Sequence, residues 1–479
     1  MTEQAWSRRQ VLLVAFLICL ATLILHLPRF LFTSMIYDDL TIVIESWPWN
    51  VTWQNLWLPA NEHAMPWGRI TTALMVEIGG SQSNLPRVLS FQGPIVLLLC
   101  MWVLYLFVRR ELGHPVYGLI AMAFFGVTTQ YVRGVSWFSA AFALFSLLFT
   151  LLGLLAAQSY LKNGSKLSLA LCGLCCFIAP GWFAIGVLTG SLCSLYLLWN
   201  LRHKMFRRVH VIAIPTLCTG AFFVISLMQN AEVIMNLPHY RNKTAAESFD
   251  PLVGLLRTGR SLIDHKLLGS LGVPGFGVPR WIVIPLLPFL ILALFYWYRF
   301  APRRGLFLLG LAFLLGSDLM IQSARANWEY EGFAEKYVVG WTRYQLYPHL
   351  GLTLMLLAGL PRWEERLLRM NRRWLLLLGL MVLCHGYRAM PWDYIPDQAH
   401  LLHKIQQVDE RARRHRIGRE AAIRALSETG LEPDFKEALN NAWHLLRGSD
   451  DPRPMEAEKI RKLLLTGIDV PLRKPLRIQ

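Results

Sequence analysis

Charge is scarce in this sequence: 16% of the 479 residues are charged, whereas 54% are hydrophobic. A soluble globular protein usually carries about 25% charged residues, so the composition excludes an ordinary soluble enzyme. Apolar runs of about 20 residues recur along the chain, and runs of that length cross a bilayer as helices. The 18 Trp and 15 Tyr suit a protein that lines two membrane–water interfaces. We therefore predict an all-α integral membrane protein.

The chain also lacks a disulfide framework, because its eight cysteines all lie within apolar runs. Cys172, Cys175 and Cys176 have a spacing found in redox and metal motifs. No histidine or charged residue lies near them in the sequence, however. We interpret them as small residues that pack between helices, and we predict no metal site.

No small-residue cleavage site follows the first apolar run, Val11–Leu27, which is succeeded by Pro28 and Arg29. We therefore interpret this run as an uncleaved anchor and not as a signal peptide. Arg8 and Arg9 precede it. By the positive-inside rule, they place the N-terminus in the cytoplasm.

Ten further apolar runs bring the predicted number of spans to about eleven. They lie at about 88–108, 116–131, 137–161, 167–178, 182–199, 209–228, 281–298, 306–321, 345–360 and 374–387. The short basic loops between them all fall on the side that carries the N-terminus, as expected for cytoplasmic loops. This topology accounts for the formal net charge of +17, which therefore does not indicate a nucleic acid partner.

The larger external loops of the predicted transmembrane domain, residues 1–389, are polar and rich in tryptophan or proline. They cover residues 30–87, 229–280 and 322–344. The first contains an amphipathic segment from about Pro66 to Ile78, which predicts helices that lie on the membrane surface.

An odd number of spans places the C-terminus outside the cell. Residues 390–479 have the composition of a small, soluble and mainly helical domain, and we predict that this domain is extracytoplasmic. The sequence contains no internal repeat of the kind that marks many transporters.

The acidic pair Asp38-Asp39, preceded by Tyr37, stands where the first predicted span meets the external water. Ionisable groups near a membrane are costly unless they are paired or line a wet cavity, so these carboxylates are candidates for chemistry. An alternative is that they cap the N-terminus of a surface helix. Asn61-Glu62-His63 follows, and it has an equally ordinary interpretation as a turn before the helix that begins near Pro66.

Together these features resemble the GT-C class of membrane glycosyltransferases. This class takes a sugar from a polyprenyl-phosphate donor, and it includes the protein O-mannosyltransferases and the bacterial aminoarabinose transferases of lipid A. The resemblance covers about Arg8 to Leu360 and rests on short motifs. They are Tyr37-Asp38-Asp39 after one span, Asn61-Glu62-His63-x-x-Pro66-x-x-Arg69, Trp137-Phe138-Ser139 and Arg343-Tyr344. Where many relatives carry a Lys-Glu pair after the fifth span, this chain has Ala179-Pro180-Gly181.

The resemblance implies a GT-C fold in the inner membrane and inverting transfer to an extracytoplasmic glycan, lipid or protein of the cell envelope. It makes Asp38 or Asp39 the general base. Because neighbouring residues at a helix end point about 100° apart, the sequence does not separate the two. Donor phosphate binding is assigned to Arg343, Arg133 and Lys336, and acceptor binding or orientation to Glu62, His63, Arg69 and Tyr344. The mechanism needs no metal, although it would accommodate a divalent cation.

Two other classes of function stay open. A transporter or flippase of lipid-linked glycans usually has charges near the bilayer midplane, whereas these spans are nearly free of charge. An O-antigen-type polymerase or ligase would depend on arginine and histidine in a large late external loop. Residues 229–280 contain such side chains: His239, Arg241, Arg260 and His265.

Overall fold

The computed structural model describes residues 7–31, 42–43, 45–60, 63–79, 85–128, 131, 134–135, 137–236, 280–325 and 345–360. These residues are predominantly helical, which confirms the predicted fold class for this part of the chain. They divide into two compact units. The described residues of Met1–Pro28, Leu56–Gly68 and Phe91–Met390 belong to the larger unit, and those of Arg29–Asn55 and Arg69–Ser90 belong to the smaller one.

The α-helices are numbered in chain order. They are α1 (Arg8–Leu31), α2 (Trp49–Gln54), α3 (Pro66–Gly79), α4 (Leu85–Leu112), α5 (Pro115–Gly126), α6 (Phe142–Asn163), α7 (Lys166–Ile178), α8 (Leu188–Leu201), α9 (Met205–Asn236), α10 (Arg280–Phe300), α11 (Arg304–Arg325) and α12 (Leu346–Gly359). Short 3-10 turns cover Ala179–Gly181, Ala184–Val187 and Arg202–Lys204. Strands β1 (Pro59–Ala60) and β2 (His63–Ala64) form a small antiparallel pair, which the sequence did not predict.

Local sequence signals determine where several helices begin and end. Pro115 starts α5, and the imidazole Nδ1 of His114 accepts a hydrogen bond from the amide of Val116 at 3.3 Å. Gly164 ends α6 with φ 65°, a conformation that glycine adopts at no steric cost. Ser165 then caps α7 by accepting from the amide of Ser168.

Within the described residues, five helical segments are long and apolar enough to cross a membrane. They are Arg8–His26, Val88–Leu112, Phe142–Asn163, Ala184–Asn230 and Arg304–Ile321. Shorter apolar helices of 10–17 residues lie at Pro115–Gly126, Lys166–Gly181, Pro288–Phe300 and Leu346–Gly359. The chain therefore has the helices of a membrane protein. The number of eleven spans stays a prediction, and the last of them, 374–387, lies outside the described residues, as does the predicted domain 390–479.

Three predicted spans extend beyond their α-helices by five or six residues. The run from 137 begins as α-helix only at Phe142, because residues 137–141 form turns in which the amide of Ala141 donates to the Trp137 carbonyl. The run from 116 ends at Gly126 and not at 131. The run from 182 becomes α-helical only at Leu188, after a 3-10 turn.

Contacts bring the short basic loops to one end of the larger unit. A carboxylate oxygen of Glu111, beside Arg109 and Arg110, accepts hydrogen bonds from Tyr196 at 2.6 Å and from Gln158 at 3.0 Å. The ends of α4, α6 and α8 therefore meet. Gly305 packs so closely on Trp199 that a side chain there would overlap the indole. The loop before α11 therefore lies at the same end.

We call this the basic end and the opposite one the far end. At the basic end, the backbone amide of Arg303 donates to the carbonyl of Ala358, which orients α12. At the far end, a Cβ atom at Gly126 would lie 2.9 Å from the hydroxyl of Thr22. Because Thr22 lies at the far end, α1 runs from the basic end, where Arg8 and Arg9 lie, toward the far end. Several basic loops thus lie at one end of the described part of the larger unit, while the topology of the chain in a membrane stays a prediction.

The helices pack through small residues at their closest approaches. Gly310 of α11 and Gly351 of α12 face each other so closely that a side chain on either one would meet the other's carbonyl. Gly190 of α8 lies against Thr219 and the carbonyl of Pro215 of α9 in the same manner. Such contacts are typical of membrane helices, whose backbones approach closely where side chains are small.

Candidate functional site

The segment Leu56–Gly68 carries part of the motif that resembles the GT-C class, and it packs against the far end of the larger unit. The indole of Trp57 contacts the ring of Phe222, with centroids 5.7 Å apart. Trp67, at the start of α3, lies against Gly181 in the turn between α7 and α8. A Cβ atom at Gly68 would be 3.2 Å from the ring of Phe142. The motif segment is thus a packed layer at that end.

The backbone of His63 lies in β2, where it pairs with Ala60, and Pro59 pairs with Ala64. Glu62 lies outside the described residues, and the side chain of His63 is not described either. Their predicted acceptor-side roles stay predictions. What the described part adds is a short strand pair that fixes both flanks of Asn61-Glu62.

Close packing explains the glycine in the turn Ala179-Pro180-Gly181. A side chain at residue 181 would overlap the indole of Trp67, so the close packing of the motif segment requires glycine there. The carbonyl of Ala179 accepts a hydrogen bond from the hydroxyl of Ser146 at 2.8 Å, and Gly186 folds back directly onto it. An aromatic contact therefore occupies this turn. Sequence reasoning did not find this contact, since no short-range pattern links residues 67 and 181.

Buried hydroxyl groups extend from this turn into the helices. The Oγ1 atom of Thr150 lies 2.6 Å from that of Thr189 and 3.1 Å from the phenolic oxygen of Tyr347. Thr150 also donates to the carbonyl of Ser146 at 2.8 Å. These hydrogen bonds join α6, α8 and α12 in an otherwise apolar interior, where hydroxyl groups need partners.

Three histidine or acidic side chains of the larger unit are buried within the described helices: His26, Asp318 and His349. His26 lies in the last part of the first candidate span, and Asp318 lies near the end of another, so both are remote from the basic end. The Nε2 atom of His349 lies 2.9 Å from the carbonyl of Phe124, and its ring stacks on Phe124 at a centroid distance of 5.3 Å. In the sequence, His349 follows Arg343, a predicted donor-binding residue, by six residues.

The smaller unit contains the one predicted site residue whose side chain is described, Arg69. Its guanidinium is completely buried and forms an ion pair with the carboxylate of Glu45, at 2.8 Å from Nη2 to the oxygen. Nη1 also donates to the backbone carbonyl of Glu45, at 3.3 Å. The side-chain amide of Asn55 donates to that same carbonyl at 3.1 Å. Arg69 therefore fastens the chain around Glu45 to α3, and its predicted role toward an acceptor stays a prediction.

The remaining predicted site residues lie outside the described part of the chain. They are Asp38, Asp39, Glu62, Arg133, Lys336, Arg343 and Tyr344. The residues that support a polymerase or ligase, His239, Arg241, Arg260 and His265, lie outside it as well. The structure does not test their roles.

At the sequence level, the chain matches no protein-family model, and it matches none of the proteins with curated descriptions. The residues and their geometry are therefore the grounds for a functional assignment.

Proposed function

We propose that this protein is a membrane glycosyltransferase of the GT-C class, which moves a sugar from a polyprenyl phosphate to an extracytoplasmic acceptor. The observation that carries the proposal is the packing of the motif segment Leu56–Gly68, through Trp67 and Gly181, onto the far end. That end is opposite the basic loops. By the positive-inside rule those loops face the cytoplasm, so the motif segment would face outward.

The reaction follows from the chemistry of the donor. An acceptor hydroxyl attacks the anomeric carbon while the bond from that carbon to the phosphate oxygen breaks, which inverts the configuration. The hydroxyl proton passes to the carboxylate of Asp38 or Asp39, and such general-base catalysis typically contributes 10²–10⁴-fold. Phosphate leaves as a stable anion, so it needs cationic stabilisation and no acid. Arg343, Arg133 and Lys336 are the proposed cations, and the planar guanidinium is suited to bidentate contact with phosphate.

The ion pair between Glu45 and Arg69 supports the proposal from the side of the acidic pair. Glu45 follows Asp39 by six residues, and it is attached to α3 through a buried guanidinium. A general base must be held within hydrogen-bond reach of the proton that it removes. We infer that Arg69 is a positioning residue, which restrains the chain that follows Asp38-Asp39.

The buried histidine and acidic side chains lie toward the far end of the larger unit, where the motif segment also packs, and this supports the proposal. Charged or titratable side chains inside membrane spans are rare and are usually functional. His26 and Asp318 lie toward the far end of their helices, and His349 lies close to the beginning of α12. A transporter would instead be expected to carry such groups near the bilayer midplane.

The products of the reaction distinguish the three classes of function. Purified protein would be added to membranes from cells that lack it, and the polyprenyl lipids would be followed by mass spectrometry. A glycosyltransferase of this class releases polyprenyl monophosphate and consumes the monophosphate-linked sugar. Release of polyprenyl diphosphate would instead indicate a polymerase or ligase. Unchanged lipids would contradict both kinds of enzyme, and a change only in leaflet distribution would indicate a transporter.

A further inference from the structure

Three thiols meet in the interior of the larger unit. Cys172 and Cys176 lie one turn apart on α7, and Cys193 lies on the neighbouring helix α8. Their sulfur atoms all lie within 4.8 Å of one another, and all three residues are buried. The sequence spacing within α7 gives only two of these ligands. The third is supplied by the packing of the two helices.

The surrounding helices hold this cluster in place. A Cβ atom at Gly153 of α6 would lie 3.2 Å from the sulfur of Cys193, so the thiols fill the space that this glycine leaves. The hydroxyl of Thr219 on α9 donates to the backbone carbonyl of Cys176 at 2.8 Å. The cluster therefore lies among α6, α7, α8 and α9.

We propose that Cys172, Cys176 and Cys193 form a binding site for Cu(I), a soft monovalent d¹⁰ metal ion. Soft thiolate ligands suit Cu(I), Zn²⁺ and iron–sulfur clusters. Structural Zn²⁺ almost always takes four ligands, whereas three sulfur atoms meet in this cluster. With metal–sulfur bonds of about 2.3 Å, three sulfurs around one ion are separated by roughly 4 Å. The observed separations of up to 4.8 Å need to contract by less than about an ångström to reach this geometry.

Binding of a monovalent ion requires the loss of only one proton. When Cu⁺ replaces the proton of one thiol, a copper–sulfur bond forms, one proton leaves, and the site stays electrically neutral with two neutral thiols as its other ligands. A divalent ion would need two thiolates for neutrality, and for either ion each further thiolate would add a buried negative charge, which is costly. From Leu167 to Leu201, neither α7 nor α8 contains an acidic or basic residue that would compensate such a charge.

The site is independent of the proposed glycosyl transfer, and its test measures metal binding alone. The full-length protein would be purified under anaerobic, reducing conditions and titrated with Cu(I) against bicinchoninate, a chromophoric chelator of Cu(I). We expect retention of one Cu(I) per chain. We expect Cys172→Ala, Cys176→Ala and Cys193→Ala each to lose it. The matched control is Cys100→Ala, which removes a buried cysteine on α4 whose sulfur lies beside the carbonyl of Leu144. This variant should retain the metal.

X-ray absorption at the copper edge of the wild-type protein gives a second readout, which does not require any variant to fold. A shell of sulfur ligands alone is expected. The proposal is overturned by a shell of nitrogen or oxygen, by equal retention in the variant that lacks all three thiols, or by complete transfer of copper to the chelator. A disulfide between any two of these cysteines, found after alkylation in intact membranes, would also overturn it.

Discussion

The guanidinium of Arg69 lies 2.8 Å from the carboxylate of Glu45, and the two partners differ in burial: the arginine side chain is completely buried, whereas 28% of the glutamate side chain is exposed. Loss of Glu45 and loss of Arg69 should therefore have unequal effects on stability. Without Glu45, the arginine would keep its charge in a buried place. Without Arg69, the glutamate would still reach water.

The first prediction concerns this asymmetry. Glu45→Gln should lower the free energy of unfolding by about 1–3 kcal/mol, because it leaves a buried charge without its countercharge. A fully buried pair would cost 3–5 kcal/mol. Arg69→Met, which keeps the volume and removes the charge, should cost less. Thermal unfolding in detergent measures both.

Glu77→Gln on α3 is the control, since Glu77 accepts an exposed hydrogen bond from Trp47 and should tolerate the change. If Arg69→Met proves more damaging than Glu45→Gln, the ion pair does not account for the stability of this unit.

The second prediction tests the packing of the motif segment. Gly181→Ala places a methyl group where the indole of Trp67 lies, and should displace that segment. If the segment orients a substrate, transfer should fall by about 10²-fold, the cost of an ångström-scale misplacement. Replacing Trp67 by Leu in the same protein should restore part of the activity.

The matched control is Gly220→Ala on α9, where no atom lies within 4 Å of the new methyl group. Because alanine is the better helix former, this change should stabilise the helix by up to about 1 kcal/mol. Equal activity in the Gly181 and Gly220 variants would separate the motif segment from the reaction.

The third prediction concerns the acidic pair. Asp38→Asn or Asp39→Asn keeps the size and most hydrogen bonds but removes the proton acceptor. One of the two should lower transfer by 10²–10⁴-fold with donor binding nearly unchanged. If the pair serves only as a helix cap, asparagine replaces it well and the cost is small. Full transfer activity in both variants would refute the catalytic assignment.

The fourth prediction concerns the donor phosphate. Arg343→Lys retains the charge but loses the planar, bidentate fork, so donor affinity and turnover should both fall. Binding of a short polyprenyl phosphate to purified protein, measured with the rate of transfer, gives the two effects separately. Unchanged values for Arg343→Ala would remove Arg343 from the site and direct attention to Arg133 or Lys336.

The fifth prediction is topological. A cysteine introduced at Gln479 should react with a membrane-impermeant maleimide in intact cells, because about eleven spans place the C-terminus outside. A cysteine at Lys204, in an exposed turn of the basic end, is the control and should react only after permeabilisation. Labelling of residue 479 only after permeabilisation would refute the predicted number of spans.

The sequence predicts the helices well where apolar runs and caps coincide. Gly164 and Ser165 define the boundary between α6 and α7 by local chemistry alone. It misplaces the starts of α6 and α8, which are each preceded by a closely packed turn. Gly93 approaches the carbonyl of Val135 closely in the first case, and Gly186 packs on that of Ala179 in the second.

The site shows the same division. The motif that includes Arg69 is visible in the sequence, but its partner Glu45 is not, since 24 residues separate them. The contact of Trp67 with Gly181 and the addition of Cys193 to the thiols of α7 are likewise tertiary. A single sequence contains no periodicity or spacing that reveals them.

The lengths of three helices in the larger unit have a consequence for the membrane itself. Helices Pro115–Gly126, Lys166–Ile178 and Leu346–Gly359 have 12, 13 and 14 residues. They rise only about 18–21 Å, whereas the hydrocarbon layer is about 30 Å thick. If their basic ends lie at the cytoplasmic boundary, they stop about 10 Å short of the opposite one. The bilayer would then be locally thinner around these helices. A lipid-linked sugar arriving there would meet protein at a depth that lipid tails occupy elsewhere.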